Sequence, residues 1–90
     1  MNHHIAALAL VGWYLVAPLP DHPEAPLSYW SQMGAYDTAK ECEDFQARIY
    51  RRSQQSDFRA PPGRFSTAQL RQAYAETMCI ASDDPRLKEK

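Results

Sequence analysis

The chain has 90 residues, enough for one small domain and too few for a multidomain enzyme, a repeat solenoid or a polytopic membrane protein. Lys plus Arg number 10 and Asp plus Glu 11, so the formal net charge is -1 and bulk electrostatics selects no partner. Apolar residues make up 44%, which is sufficient for most of the chain to fold.

The charges are unevenly placed. The first 20 residues contain no Asp, Glu, Lys or Arg. Within them Ile5 to Ala17 is an unbroken apolar run with one glycine, IAALALVGWYLVA. Pro18, Pro20, Pro23 and Pro26 follow, and a helix cannot pass through them, because each lacks a donor and biases its predecessor away from the helical region. The spacing divides the chain into an apolar export- or anchor-like segment (1–17), a proline-rich connector (18–28), a folded body (29–82) and a polar C-terminal tail (83–90).

As a helix, Ile5 to Ala17 reaches roughly 20 Å, short of the roughly 30 Å hydrocarbon core and close to a signal peptide's apolar region. The run departs from a standard cleaved signal. No Lys or Arg precedes it, Ala7-Leu8-Ala9 comes too early for cleavage, and Leu15-Val16-Ala17 is followed by Pro18. The competing reading is a core element of a soluble domain, and Gly12-Trp13-Tyr14-Leu15-Val16 has a strand-like composition that is compatible with the fold even behind an export segment, so the 1–17 segment can lie partly in the fold. The export or anchoring reading is preferred here, with membrane association through residues 5–17.

Ser28 to Tyr36 is rich in aromatics, and Trp30, Gln32, Gly34 and Tyr36 share one face of a predicted strand. Asp37 or Thr38 then caps a helix predicted over 38–54, and Thr38 with Glu41 forms a capping box. Ala39, Cys42, Phe45 and Ile49 recur at helical spacing as one apolar stripe. Acids crowd the start and Arg48, Arg51 and Arg52 the end, an order that suits the helix dipole, and Asp44 stands four residues before Arg48. Ser53 to Gly63 reads as a loop. Ser66 with Gln69 forms a second capping box, flanked by Phe65 and Leu70 as a hydrophobic staple, and Leu70, Tyr74 and Thr77 continue a second helical face. Met78 to Ala81 is short and strand-like, ended by Ser82-Asp83-Asp84-Pro85. The expected fold is small α+β: a long and a shorter helix packed on a short antiparallel strand pair, braced by a disulfide.

The brace is inferred from Cys42 and Cys79. No Cys-x-x-Cys motif exists, the histidines (His3, His4, His22) lie far from both cysteines in sequence, and two cysteines alone make no four-ligand zinc site. That leaves a disulfide or two buried thiols, and the export-like head favours the disulfide.

Four segments together are distinctive: GWYLVAP (12–18), Pro-Leu-Ser-Tyr-Trp (26–30), Tyr-Asp-Thr-Ala-Lys-Glu-Cys-Glu (36–43) and Cys-Ile-Ala-Ser-Asp-Asp-Pro-Arg-Leu-Lys (79–88). The combination resembles small uncharacterised bacterial proteins that carry an export signal. The resemblance implies that both cysteines belong to a shared framework in an extracytoplasmic protein. It implies no activity.

No catalytic constellation is legible. The histidines lie inside or just beyond the apolar head, no serine has a nucleophile-elbow context, and Glu43-Asp44 and Asp83-Asp84 are adjacent pairs rather than convergent ones. Met1-Asn2-His3 has the groups for a square-planar Cu(II) or Ni(II) site, but reads more simply as incidental, and Asp83-Asp84 lacks further ligands for calcium. No enzyme activity, metal or cofactor is expected. The best site-like feature is the stretch Arg48, Arg51, Arg52, Arg59, Arg64 and Arg71 against the single acid Asp57, interleaved with Tyr50, Phe58 and Phe65. The expected function is a non-catalytic exported or membrane-tethered envelope protein, outside the cytoplasm, that meets a protein partner or envelope surface. The alternative is a cytosolic or peripheral anion-binding module using those arginines on lipid phosphate or, less favoured, nucleic acid.

Overall fold

A computed structural model describes residues 12–88. Its elements in chain order are β1 (Trp13–Ala17), a 3-10 turn (Leu27–Tyr29), β2 (Ser31–Tyr36), α1 (Ala39–Ser53), α2 (Thr67–Ala75), β3 (Met78–Ala81) and a second 3-10 turn (Pro85–Lys88). The architecture is α+β: two helices and a three-stranded antiparallel sheet of order β2-β1-β3, with a Cys42–Cys79 disulfide.

The sheet corrects one expectation. β2 and β3 do not pair with each other; each pairs antiparallel with β1, which runs between them. β1 comes from the last five residues of the apolar run. Leu15 is fully buried, and Val16 and Ala17 nearly so. Residues 13–17 are therefore the middle of the folded body, the strand that the composition of Gly12 to Val16 allowed for the end of the apolar segment. The physical reason is that a central strand covered on both faces is apolar at consecutive positions, so it imitates an export segment. Residues 1–11, which carry the rest of the predicted segment and the Met1-Asn2-His3 motif, lie outside the described residues.

Alternation along β1 places Leu15 on the face of its Cα partner Cys79, and Val16 on the face of its partner Met78. Val16 and Ile80 are each 3% exposed although they point away from the Leu15 face, so both faces are covered. α1 crosses all three strands and α2 packs on α1.

The pairing of β1 with β2 slips between Leu15 and Val16: Leu15 faces Gly34, Val16 faces Gln32, and Met33 is the extra residue. The bulge breaks the expected face of Trp30, Gln32, Gly34 and Tyr36. It also turns Met33 to the helix side, where it lines clefts with Phe45, Ile49 and Tyr74. A side chain at Gly34 would displace the Tyr36 ring. A Cβ at this position would lie 2.5 Å from the Tyr36 hydroxyl, because the Tyr36 ring lies over Gly34 and meets Phe45 of α1 at 5.8 Å between centroids.

Both helix starts are as read from the sequence. Thr38 Oγ1 accepts from the Glu41 amide at 3.1 Å, and the Thr38 amide donates to Glu41 Oε1 at 3.2 Å. Ser66 and Gln69 make the same reciprocal pair at 3.0 and 2.8 Å. α2 is shorter than its predicted face: it ends at Ala75, and Thr77 instead sits buried between α2 and β3. The Thr77 carbonyl accepts the Gln46 side-chain amide at 2.6 Å, which fastens α1 to the start of β3.

The connector and tail are also folded. Pro18 is fully buried, Leu19 and His22 form an isolated bridge, and the Trp30 indole donates to the Ala25 carbonyl at 3.0 Å. The turn at Pro85–Lys88, read from sequence as a solvated tail, packs against the turn at Leu27–Tyr29. No helix among the described residues is long and apolar enough to cross a membrane.

The disulfide joins the first turns of α1 to β3 with the Cα atoms 6.1 Å apart, an ordinary span. The core it braces is slight, since a body of this size buries only about 60% of its unfolded surface. Replacing both cysteines by alanine should lower stability by up to about 4 kcal/mol, and Leu15→Ala by about 3 kcal/mol. Urea unfolding followed by circular dichroism, with and without reductant, checks both; the reductant should shift the midpoint of the native chain and leave that of the cysteine-free variant in place.

Candidate groove between α1 and the Phe58 loop

The six arginines of the predicted cluster are divided by the fold. Arg71, on α2, donates from Nε to the Ser53 carbonyl at 2.9 Å and from a terminal nitrogen to the Gln55 carbonyl at 3.0 Å. These acceptors lie at the C-terminal end of α1, where backbone carbonyls lack helical donors, so Arg71 is a C-terminal cap supplied by the neighbouring helix. Arg59 folds back onto the Ser56 and Phe58 carbonyls, both at 2.8 Å. Arg64 pairs with Asp21 of the proline-rich connector at 2.8 Å and lies over the Phe65 ring. Arg59 and Arg64 thus hold loops, and Arg71 holds a helix end. Arg51 is exposed on α1.

Arg48 and Arg52 remain together. They stand one turn apart on α1, and both line a groove of about 300 Å³ whose other walls are mainly apolar: Met33, Phe45, Ile49, Phe58 and Tyr74. Phe58 meets Tyr74 edge-on at 6.0 Å, and the guanidiniums of Arg52 and Arg71 lie 5.8 and 5.9 Å from the Phe58 ring centroid. Arg52 also holds Asp57 at 3.1 Å and Gln55 at 3.0 Å. Asp44 does not pair with Arg48 as its spacing suggested; it takes Lys40 at 2.9 Å, raising the Lys40 pKa by hydrogen bonding. Among the described residues Arg48 makes no hydrogen bond or ion pair, and its guanidinium stands 5.2 Å from the Phe45 ring centroid.

A second apolar cleft of about 190 Å³ shares the Met33 and Tyr74 walls and runs toward Ala17, Leu70 and Ala73. Ser53, completely buried beside the groove, is satisfied: its hydroxyl donates to the Tyr50 carbonyl at 2.9 Å and accepts from the Gln54 side-chain amide at 3.1 Å. The groove is therefore an apolar floor with a cationic lip.

The sequence reading missed Met33, Ile49 and Tyr74 as groove residues. A partial signal was present: Phe45 and Ile49 lie four apart beside Arg48 and Arg52, also four apart, so an apolar and a cationic row run along one side of the helix. Met33 gave no signal, because only the bulge aims it.

Of the two adjacent acid pairs, Asp44 is held by Lys40 and Asp84 by Arg86. Asp84 accepts from the Arg86 amide at 2.9 Å and from its guanidinium at 2.8 and 3.1 Å. The Arg86 guanidinium and amide together lower the Asp84 carboxyl to about 2. No cluster of three or more metal-ligating side chains occurs among the described residues.

No family model matches the chain, and no curated protein or solved structure shows significant similarity to it.

Arg71→Ala should cost about 1–3 kcal/mol, since it strips the donors from the end of α1, whereas Arg51→Ala should change stability by less than about 0.5 kcal/mol. Chemical denaturation of the two variants compares them directly. Asp84 should titrate near 2 by carboxyl NMR. Because its folded pKa is depressed, its contribution to stability is complete above the ordinary aspartate range of about 4 and is lost as pH falls through the folded value.

Proposed function

We propose that this chain is a non-catalytic interaction module of an exported or membrane-tethered envelope protein. The observation that carries the compartment is the Cys42–Cys79 bond. Disulfides persist in oxidising compartments, and small secreted domains use them where the core alone is insufficient. The interaction role is supported by how the chemically capable side chains are used. The cysteines are joined to each other, Thr38 and Ser66 cap helices, Asp84 holds Arg86, and Arg71 caps α1. These groups build a scaffold, and the surface it displays is an apolar groove with a charged lip.

The partner of such a module is a protein or an envelope surface. A second reading, peripheral binding of anions by the whole arginine stretch, draws on Arg48, Arg51 and Arg52 in this fold, since Arg59, Arg64 and Arg71 hold backbone or carboxylate groups.

Intact mass of the protein isolated from its native cells should be two hydrogens below the reduced value, and cell fractionation should place it outside the cytoplasm. Migration on a gel should change with reductant. Recovery from the cytosol with two free thiols would remove the proposal.

A further inference from the structure

The groove beside α1 combines two kinds of surface that one kind of ligand satisfies. Its floor is made by Met33, Phe45, Ile49 and Phe58, and offers almost no hydrogen-bonding groups. Its lip carries the guanidiniums of Arg48 and Arg52. A simple anion would use the lip and leave the apolar floor in water. An uncharged apolar ligand would use the floor and leave the lip. A nucleobase would need polar readers for its edges, and the floor provides none.

We propose that this groove binds a single-chain anionic amphiphile, with the alkyl chain on the apolar floor and the anionic head group on Arg48 and Arg52. Three observations fix the class. The volume, about 300 Å³, lies at the small end of ligand sites, which favours one short chain over two. The neighbouring cleft shares Met33 and Tyr74, so a longer chain has an apolar path past an unbranched, adaptable methionine. The charge at the lip is available. Arg48 carries no carboxylate partner among the described residues, since Asp44 is held by Lys40. The Arg52–Asp57 pair is exposed on both sides, at 56% and 76%, and such pairs are weak enough for a head group to share the guanidinium. Arg71 adds a third positive charge beside Phe58 without leaving its capping bonds. The site does not depend on the compartment: it would bind its ligand wherever the fold is intact.

The test uses the full chain with its disulfide intact, titrated below the micelle concentration of each probe and followed by NMR. Decanoate represents a free fatty acid and lysophosphatidylglycerol a lipid product; decanol and inorganic phosphate are the half-ligands. Both anionic amphiphiles should shift the Met33 and Ile49 methyl signals saturably, and the tighter of the two assigns the source. Decanol should bind about tenfold more weakly than decanoate, and phosphate should leave those methyls unmoved. Changing both Arg48→Gln and Arg52→Gln should weaken decanoate about tenfold and leave decanol unchanged, while Arg48→Lys with Arg52→Lys keeps most of the difference. If the glutamine variant does not fold, salt dependence in the native chain decides: decanoate binding should weaken with salt and decanol binding should not. Equal affinity for decanol and decanoate would overturn the proposal. So would tighter binding of phosphate, or saturable shifts confined to a different cleft, of about 240 Å³, that Leu19, Pro23, Ala68 and Gln72 line between the proline-rich segment and α2.

Discussion

The rest of the structure hangs on where the Cys42–Cys79 bond is placed. Cys79 is the β3 neighbour of Leu15, the central residue of the central strand, and Cys42 reaches down from the first turns of α1. Leu15 and Cys42 are both completely buried and Cys79 is half-buried, so the bond ties a buried position of α1 to the sheet beside the strand residue most removed from water. Few other residues are as deeply buried: Pro18 and Ser53 are, and Val16, Ala17, Ala73 and Ile80 nearly so, all of them small or medium in size. A core of that volume yields little hydrophobic free energy, while ordering the backbone costs about 1–2 kcal/mol per residue. Closing a 37-residue separation before folding begins removes part of that cost from the unfolded side.

The polar ties repeat the same connections. Gln46 bonds Thr77 and so attaches the middle of α1 to the entry of β3, one turn beyond the disulfide. Arg71 attaches α2 to the far end of α1. Arg64 attaches the loop before α2 to the proline-rich segment after β1 through Asp21. The start and middle of α1 are joined to β3 and its entry and the end of α1 to α2, and the buried Thr77 hydroxyl is thereby satisfied rather than left as a penalty.

The electrostatic design of α1 also explains the groove. Acids at its start and arginines at its end both favour the helix dipole. The arginines concentrate positive charge beside the face that Phe45 and Ile49 make apolar. Some of that charge is absorbed by loops and carbonyls, but Lys40 takes Asp44 from Arg48, and the Arg48 guanidinium is left at the groove's lip over Phe45. The cationic lip and apolar floor are consequences of the same helix.

Local order was legible in the sequence. Thr38 with Glu41 and Ser66 with Gln69 mark both helix starts, because a capping box is a contact between residues three apart and needs nothing from the rest of the chain. The stripe of Ala39, Cys42, Phe45 and Ile49 identifies the buried side of α1 for the same reason. The α+β class followed from these elements, and the disulfide reading from the lack of metal or redox spacing around Cys42 and Cys79 together with the export-like head. Tertiary structure alone decided that residues 13–17 of the apolar run are a central strand, since a strand flanked on both sides and a segment bound for lipid present the same uninterrupted hydrophobicity. It also decided the aim of Met33, which depends on a slip in pairing opposite Leu15 and Val16, and the separate roles of the six arginines, which depend on which carbonyl or carboxylate comes within reach once distant segments meet. Interactions between near neighbours are written in spacing; those between β1, the bulge of β2 and the end of α1 exist only after the chain has closed on itself.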